Sequence, residues 1–90
     1  MQAMRTKVTI QNELGLHARP AMAFVDHASQ FASTIQIIKE GQTVDGKSIM
    51  QIMMLAATKG TELEITAEGP DAEQAIASLE KLVNDKFGED

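Results

Sequence analysis

Thr6-Lys7-Val8-Thr9-Ile10-Gln11 alternates polar and apolar residues, which sets Val8 and Ile10 on one side of an extended strand and Thr9 and Gln11 on the other. The period then changes. Ala21, Phe24, Val25 and Ala28 recur at i, i+3, i+4 and i+7, the spacing of one buried helical face. Pro20 fixes where that helix opens, because proline fits a first turn, where no partner for its missing N–H is needed, and disrupts a helix interior. The pattern predicts a helix from about Ala18 to Gln30, with Phe31 packing back on the core. The chain reaches it through Asn12-Glu13-Leu14-Gly15, a polar turn in which glycine permits a sharp reversal. Leu16, just ahead of the helix, is set to pack against its first turns.

Alternation returns at Thr34-Ile35-Gln36-Ile37-Ile38-Lys39, a second strand burying Ile35 and Ile37. Glu40-Gly41 turns it into Gln42-Thr43-Val44-Asp45, a third strand whose brevity and polarity suit a sheet edge. Gly46 breaks the run, and Ser48 is placed to cap a second helix reaching about Ala57, with Gly60 in the left-handed position near its end. Thr61 to Ala67 alternates again and forms a fourth strand that buries Leu63, Ile65 and Ala67. Gly69-Pro70-Asp71 starts a third helix, since proline and an acid both suit a first turn, and Ala72, Ala75, Ile76, Leu79, Leu82 and Val83 form its buried stripe. Asn84 to Asp90 is charged and expected to fray. The order is β-α-β-β-α-β-α, an α+β arrangement in which three helices cover one face of a sheet. A single domain over residues 1–90 is expected, with a core from about 5 to 84 and an acidic tail over 85–90.

Composition narrows the function classes. A formal net charge of −5 and a pI near 4.9 exclude a protein that tracks nucleic-acid phosphates, which needs a basic face. Three phenylalanines, without Trp or Tyr, leave little for base stacking. The absence of cysteine removes thiol catalysis and thiolate metal sites. No secretory signal and no long apolar run is read, so a cytoplasmic location without membrane insertion is expected.

The chemistry is expected at the start of the first helix. His17 falls at about its N-cap, beside amides of Ala18 and Arg19 that have no carbonyl to bond, where the positive end of the helix dipole favours an anion. Arg19 adds a permanent charge and a planar fork of donors suited to phosphate oxygens. Neutral imidazole is a competent nucleophile, so this set describes a histidine able to accept and hold a phosphoryl group. On spacing alone a capping or surface histidine is the commoner outcome, and Ser48 is by the same standard a helix cap. His27 reads as a plain surface residue. The two histidines lie on different faces of one helix and no carboxylate cluster has metal-ligand spacing, which argues against a metal enzyme or an independent hydrolase.

The string Leu16-His17-Ala18-Arg19-Pro20-Ala21 resembles the active-site motif of the HPr family, the small phosphocarriers of the bacterial phosphotransferase system. Lys47-Ser48-Ile49-Met50, about thirty residues on and followed by an apolar helix and Lys59-Gly60, resembles that family's regulatory-serine segment. The similarity runs from about Lys7 to Val83 without a gap. It implies an open-faced sandwich with a four-stranded antiparallel sheet in spatial order 1-4-2-3. It implies that His17 is phosphorylated on Nδ1 by phosphorylated enzyme I and passes the group to an enzyme IIA, with Arg19 steadying the phosphate. No metal or cofactor is implied.

By the same resemblance Ser48 is the target of an HPr kinase/phosphorylase, and Ala18, Met22, Lys47, Ile49, Met50 and Met53 form the docking patch. Transcriptional regulators are further partners, and a monomer is expected. Where sugar-transporting relatives often carry lysines along the exposed side of the first helix, this chain has Asp26, His27 and Ser29, a less basic rim. The run from His17 to Met22 and the end Phe87-Gly88-Glu89-Asp90 resemble the nitrogen-related branch, whereas Lys47-Ser48-Ile49-Met50 points to kinase-controlled members. Two functions therefore stand at this point: a carrier with a covalent phosphohistidine that depends on enzymes on either side, or a regulatory docking module of the same fold that uses phosphorylation as a switch.

Overall fold

A computed structural model describes residues 2–88. Its elements run β1 (Gln2–Thr9), α1 (Ala18–Ala28), β2 (Thr34–Lys39), β3 (Gln42–Asp45), α2 (Ile49–Met54), β4 (Glu62–Gly69) and α3 (Ala72–Asn84). The four strands form one antiparallel sheet in the order β1-β4-β2-β3, as the family resemblance implied. Register explains why one face closes. Val8 lies opposite Leu63, and Ile37 lies opposite both Ile65 and Val44, so the apolar member of each alternating pair lands on the same side. Those residues join Phe24, Ile52, Ala75 and Leu79 in the buried core beneath the helices. The opposite face is polar: Arg5, Lys7, Gln36 and Glu62 are exposed, and Arg5 reaches Glu64 at 3.5 Å. Glu40 and Gly41 both take positive φ, 49° and 85°, the geometry of a two-residue hairpin turn whose twist matches the strands.

Several boundaries differ from the sequence expectation, each for a tertiary reason. β1 begins at Gln2 rather than Thr6, because β4 extends to Gly69 and pairs with it along the whole length. α1 ends at Ala28, where the Gln30 and Phe31 amides turn back on the His27 and Ala28 carbonyls. α2 stops at Met54, short of Ala57: Ala56 has φ +50, the Lys39 ammonium donates to the Leu55 carbonyl at 2.8 Å, and the Ala57 carbonyl accepts from the Leu16 amide at 2.8 Å.

Asp71 is the N-cap of α3, not a first-turn residue, and its side chain makes no capping bond. Its carboxylate instead accepts from the Ala32 amide (2.8 Å), the Ser33 amide (2.9 Å) and the Ser33 hydroxyl (2.6 Å). Those bonds hold the carboxyl below its ordinary value of 3.8. Where fraying was expected, Lys86–Gly88 form a short 3-10 turn with Phe87 packed against the core. Glu89 and Asp90, part of the acidic tail, lie outside the described residues.

Candidate functional site

The loop over residues 12–16 is stitched to the turn that follows α2. Besides the Leu16 bond, Ile10 donates to the Thr61 carbonyl at 2.9 Å and Gly60 donates to the Ile10 carbonyl at 2.7 Å. Asn12, fully buried, donates from Nδ2 to the Gly15 carbonyl at 2.7 Å. Gly15 has φ +69, and a Cβ there would collide with the Ala57 carbonyl oxygen and stand 2.8 Å from Thr58 Cα. With Leu16 buried behind it, the chain is delivered to His17 in one conformation.

His17 is the N-cap of α1 with extended backbone (φ −80°, ψ −171°), and its carbonyl accepts the Ala21 amide at 3.1 Å. Pro20 has no N–H to offer, so the helix start presents two donors without a helical partner, the amides of Ala18 and Arg19. The half-buried imidazole makes no capping bond to them. They keep their capacity for an anion. Arg19 is exposed and forms no ion pair among the described residues. Together with Ala18, Met22, Ala23 and Asp26, His17 and Arg19 line one open concavity. An imidazole, two amide donors and a guanidinium thus meet at one open surface, a set of groups suited to an anion.

The docking and regulatory candidates separate on inspection. Met22, Ile49, Met50 and Met53 are exposed, whereas Ile52, between them on α2, is buried. Lys47 is half-buried and sends its ammonium to the Phe31 carbonyl at 2.7 Å. Ser48 caps α2 by accepting the Gln51 amide at 3.2 Å, and the Gln51 side-chain carbonyl accepts the Asp45 amide at 2.9 Å. His27 donates from its Nδ1 position to the Ala23 carbonyl at 2.9 Å and faces a separate hollow with Ser78, Lys81 and Phe87. Among the described residues no group of three or more His, Asp or Glu is placed to hold a metal ion, and no helix is long and apolar enough to cross a membrane.

Two exposed apolar residues lie outside the expected docking patch. Leu14 is 74% exposed and Met54 67%. Leu14 had a signal, as a leucine inside an otherwise polar turn; Met54 had a weak one, as it follows Gln51, the one polar residue of α2, by three positions.

A family model described as the PTS HPr component phosphorylation site matches residues 4–85. The chain is 45% identical over 86 residues to a phosphocarrier protein HPr of Neisseria meningitidis serogroup A, covering 96% of this chain and 97% of that protein. It is 39% identical over 83 residues to the HPr-like protein Crh of Bacillus subtilis, covering 92% and 98%. The crystal structure of HPr-C-His from Thermoanaerobacter tengcongensis superposes with a TM-score of 0.93 at 45% identity, covering 97% of this chain and 98% of that one.

Proposed function

Because this chain belongs to the HPr family of phosphotransferase-system phosphocarriers, we propose that His17 takes a phosphoryl group from phosphorylated enzyme I and hands it to an enzyme IIA. The lone pair of Nδ1 forms the new N–P bond as the bond to enzyme I breaks, and the reverse exchange on the acceptor regenerates the imidazole. The observation that carries this reading is the pairing of His17 with the unused Ala18 and Arg19 amides and the exposed Arg19 guanidinium. Two amides and one cation stabilise the phosphate moderately. A metal ion or several cations would hold it too firmly to pass on. The partnership with these enzymes also argues for a cytoplasmic location.

Ser48 serves as the regulatory position in this proposal. A phosphate there adds about −1.5 to −2 of charge beside Ile49 and Met50, so it obstructs docking without unfolding the domain. The second reading, a regulatory docking module, draws on the similarity to the HPr-like protein Crh and on the exposed methionines. Incubation with enzyme I and phosphoenolpyruvate, followed by addition of an enzyme IIA, separates the two, because only the carrier passes its label on. The carrier acquires an acid-labile, base-stable phosphate that is absent from His17→Ala, and Ser48→Asp acquires it more slowly. Failure to label the wild-type protein, or equal labelling of His17→Ala, would overturn the carrier reading. An undiminished rate for Ser48→Asp would remove Ser48 from it.

A further inference from the structure

The chain has six methionines, and Met22 on α1 with Met50, Met53 and Met54 on α2 are exposed, whereas Met4 is half-buried against the core. Cysteine, tryptophan and tyrosine are absent from the sequence, so thioethers are the side chains that an electrophilic oxidant attacks first. Access decides which of them react.

Met22 differs from the other three in its neighbours. It follows Arg19 by three residues on α1 and lines the same concavity as His17 and Arg19. Side chains three apart on a helix have Cβ atoms about 5–6 Å from each other, and each leans towards the helix start. The Met22 thioether therefore leans back over the first turn, on the side of the guanidinium. As a thioether it is only a weak acceptor and draws little on those donors. A sulfoxide in its place carries a strongly polar oxygen, and Arg19, which forms no ion pair among the described residues, has N–H groups to give it. The fold is indifferent to the change, since Met22 is 52% exposed and outside the core.

We propose that Met22 is a site of reversible oxidation by hydrogen peroxide, and that its sulfoxide engages Arg19 and withdraws the guanidinium from the phosphoryl group bound for His17. A sulfur lone pair attacks one peroxide oxygen, so that the S–O bond forms as the O–O bond breaks and sulfur gives up two electrons. The departing hydroxide takes the proton of the transferred hydroxyl and leaves as water. A methionine sulfoxide reductase reverses the change: two thiols become a disulfide and the oxygen departs as water. The effect on transfer rests on the carrier reading; the oxidation does not.

The test treats the protein with hydrogen peroxide, removes the excess with catalase, and compares site-resolved oxidation by peptide mass spectrometry with phosphorylation by enzyme I and phosphoenolpyruvate. Met22 sulfoxide should form before Met4 sulfoxide, with Tm unchanged to within about 2 °C. The kcat for phosphorylation should fall about tenfold, as for the loss of one aimed donor group, and a methionine sulfoxide reductase with dithiothreitol should restore it. Met22→Leu, whatever its own rate, should change by no more than about twofold on treatment, and so should Arg19→Ala, because the sulfoxide acts through the guanidinium that this variant lacks. Met22 left unoxidised after Met4 has reacted, an unchanged rate once Met22 is oxidised, or a tenfold loss that persists in Met22→Leu or Arg19→Ala each overturns the inference and leaves the carrier intact. An untreated protein that takes no label from enzyme I overturns the carrier reading, and the effect on transfer with it, whatever the mass spectra show.

Discussion

At the scale of single residues, Arg19 and Gly15 do different work for the same histidine. Arg19 lines the concavity with His17 and offers a planar fork of donors. Lysine would keep the charge and lose the fork. Arg19→Lys is therefore expected to slow transfer from enzyme I by roughly an order of magnitude in an unchanged fold, as judged by rapid-quench kinetics and circular dichroism. Gly15 acts by what it lacks. Its positive φ and the backbone of Ala57 and Thr58 leave no room for a Cβ. Gly15→Ala should lose about 1–3 kcal/mol of stability in denaturant melts and slow phosphoryl transfer as well, since His17 follows two residues later. A variant with wild-type stability would show that the loop yields easily.

At the scale of elements, the Asp71 clamp joins the start of α3 to the connection between α1 and β2. Its three bonds favour the ionised carboxylate, so the folded state holds the proton less tightly than the unfolded chain does. The stabilisation is therefore present above the ordinary value of 3.8 and is lost as pH falls through the lowered folded value. Asp71→Asn should melt below the wild-type protein at pH 7, and the gap should close as the pH is taken down through the lowered folded value. A gap constant with pH would mean that the carboxylate charge contributes nothing. The same clamp shows how an element boundary is set from outside. A sequence Gly69-Pro70-Asp71 looks like a helix start served by its own acid, but a loop distant along the chain takes that acid instead.

At the scale of the whole molecule, β1 is the long exposed edge of the sheet and invites pairing with a second copy. Antiparallel pairing about Thr6 would set Arg5 of one chain opposite Lys7 of the other, and pairing about either neighbour would oppose two arginines or two lysines. We propose a monomer on that ground. Sedimentation equilibrium at physiological salt should give one chain mass, 9.8 kDa; a stable species of twice that mass would show that the like charges do not guard the edge.

Much of this architecture was legible in the residues themselves. Alternation marked the first, second and fourth strands, the Glu40-Gly41 turn marked the third, the 3.6-residue stripe marked the first and third helices, Pro20 located the start of α1, and Ser48 located the start of α2. These signals are local, because side-chain period and missing N–H groups act within a few residues. The placement of the candidate site was legible for the same reason: His17, Ala18, Arg19 and Pro20 are neighbours in the chain, and their meeting at a helix start needs no distant partner. What the sequence alone left open depends on contacts between segments far apart along it. The early stop of α2, the use of Asp71, the aim of Lys47 and Lys39, and the exposure of Leu14 are each decided by a carbonyl, amide or packing surface from another element. A pattern along one chain records which face of an element is apolar; where a charged or polar tip spends its hydrogen bonds is fixed only when the elements meet.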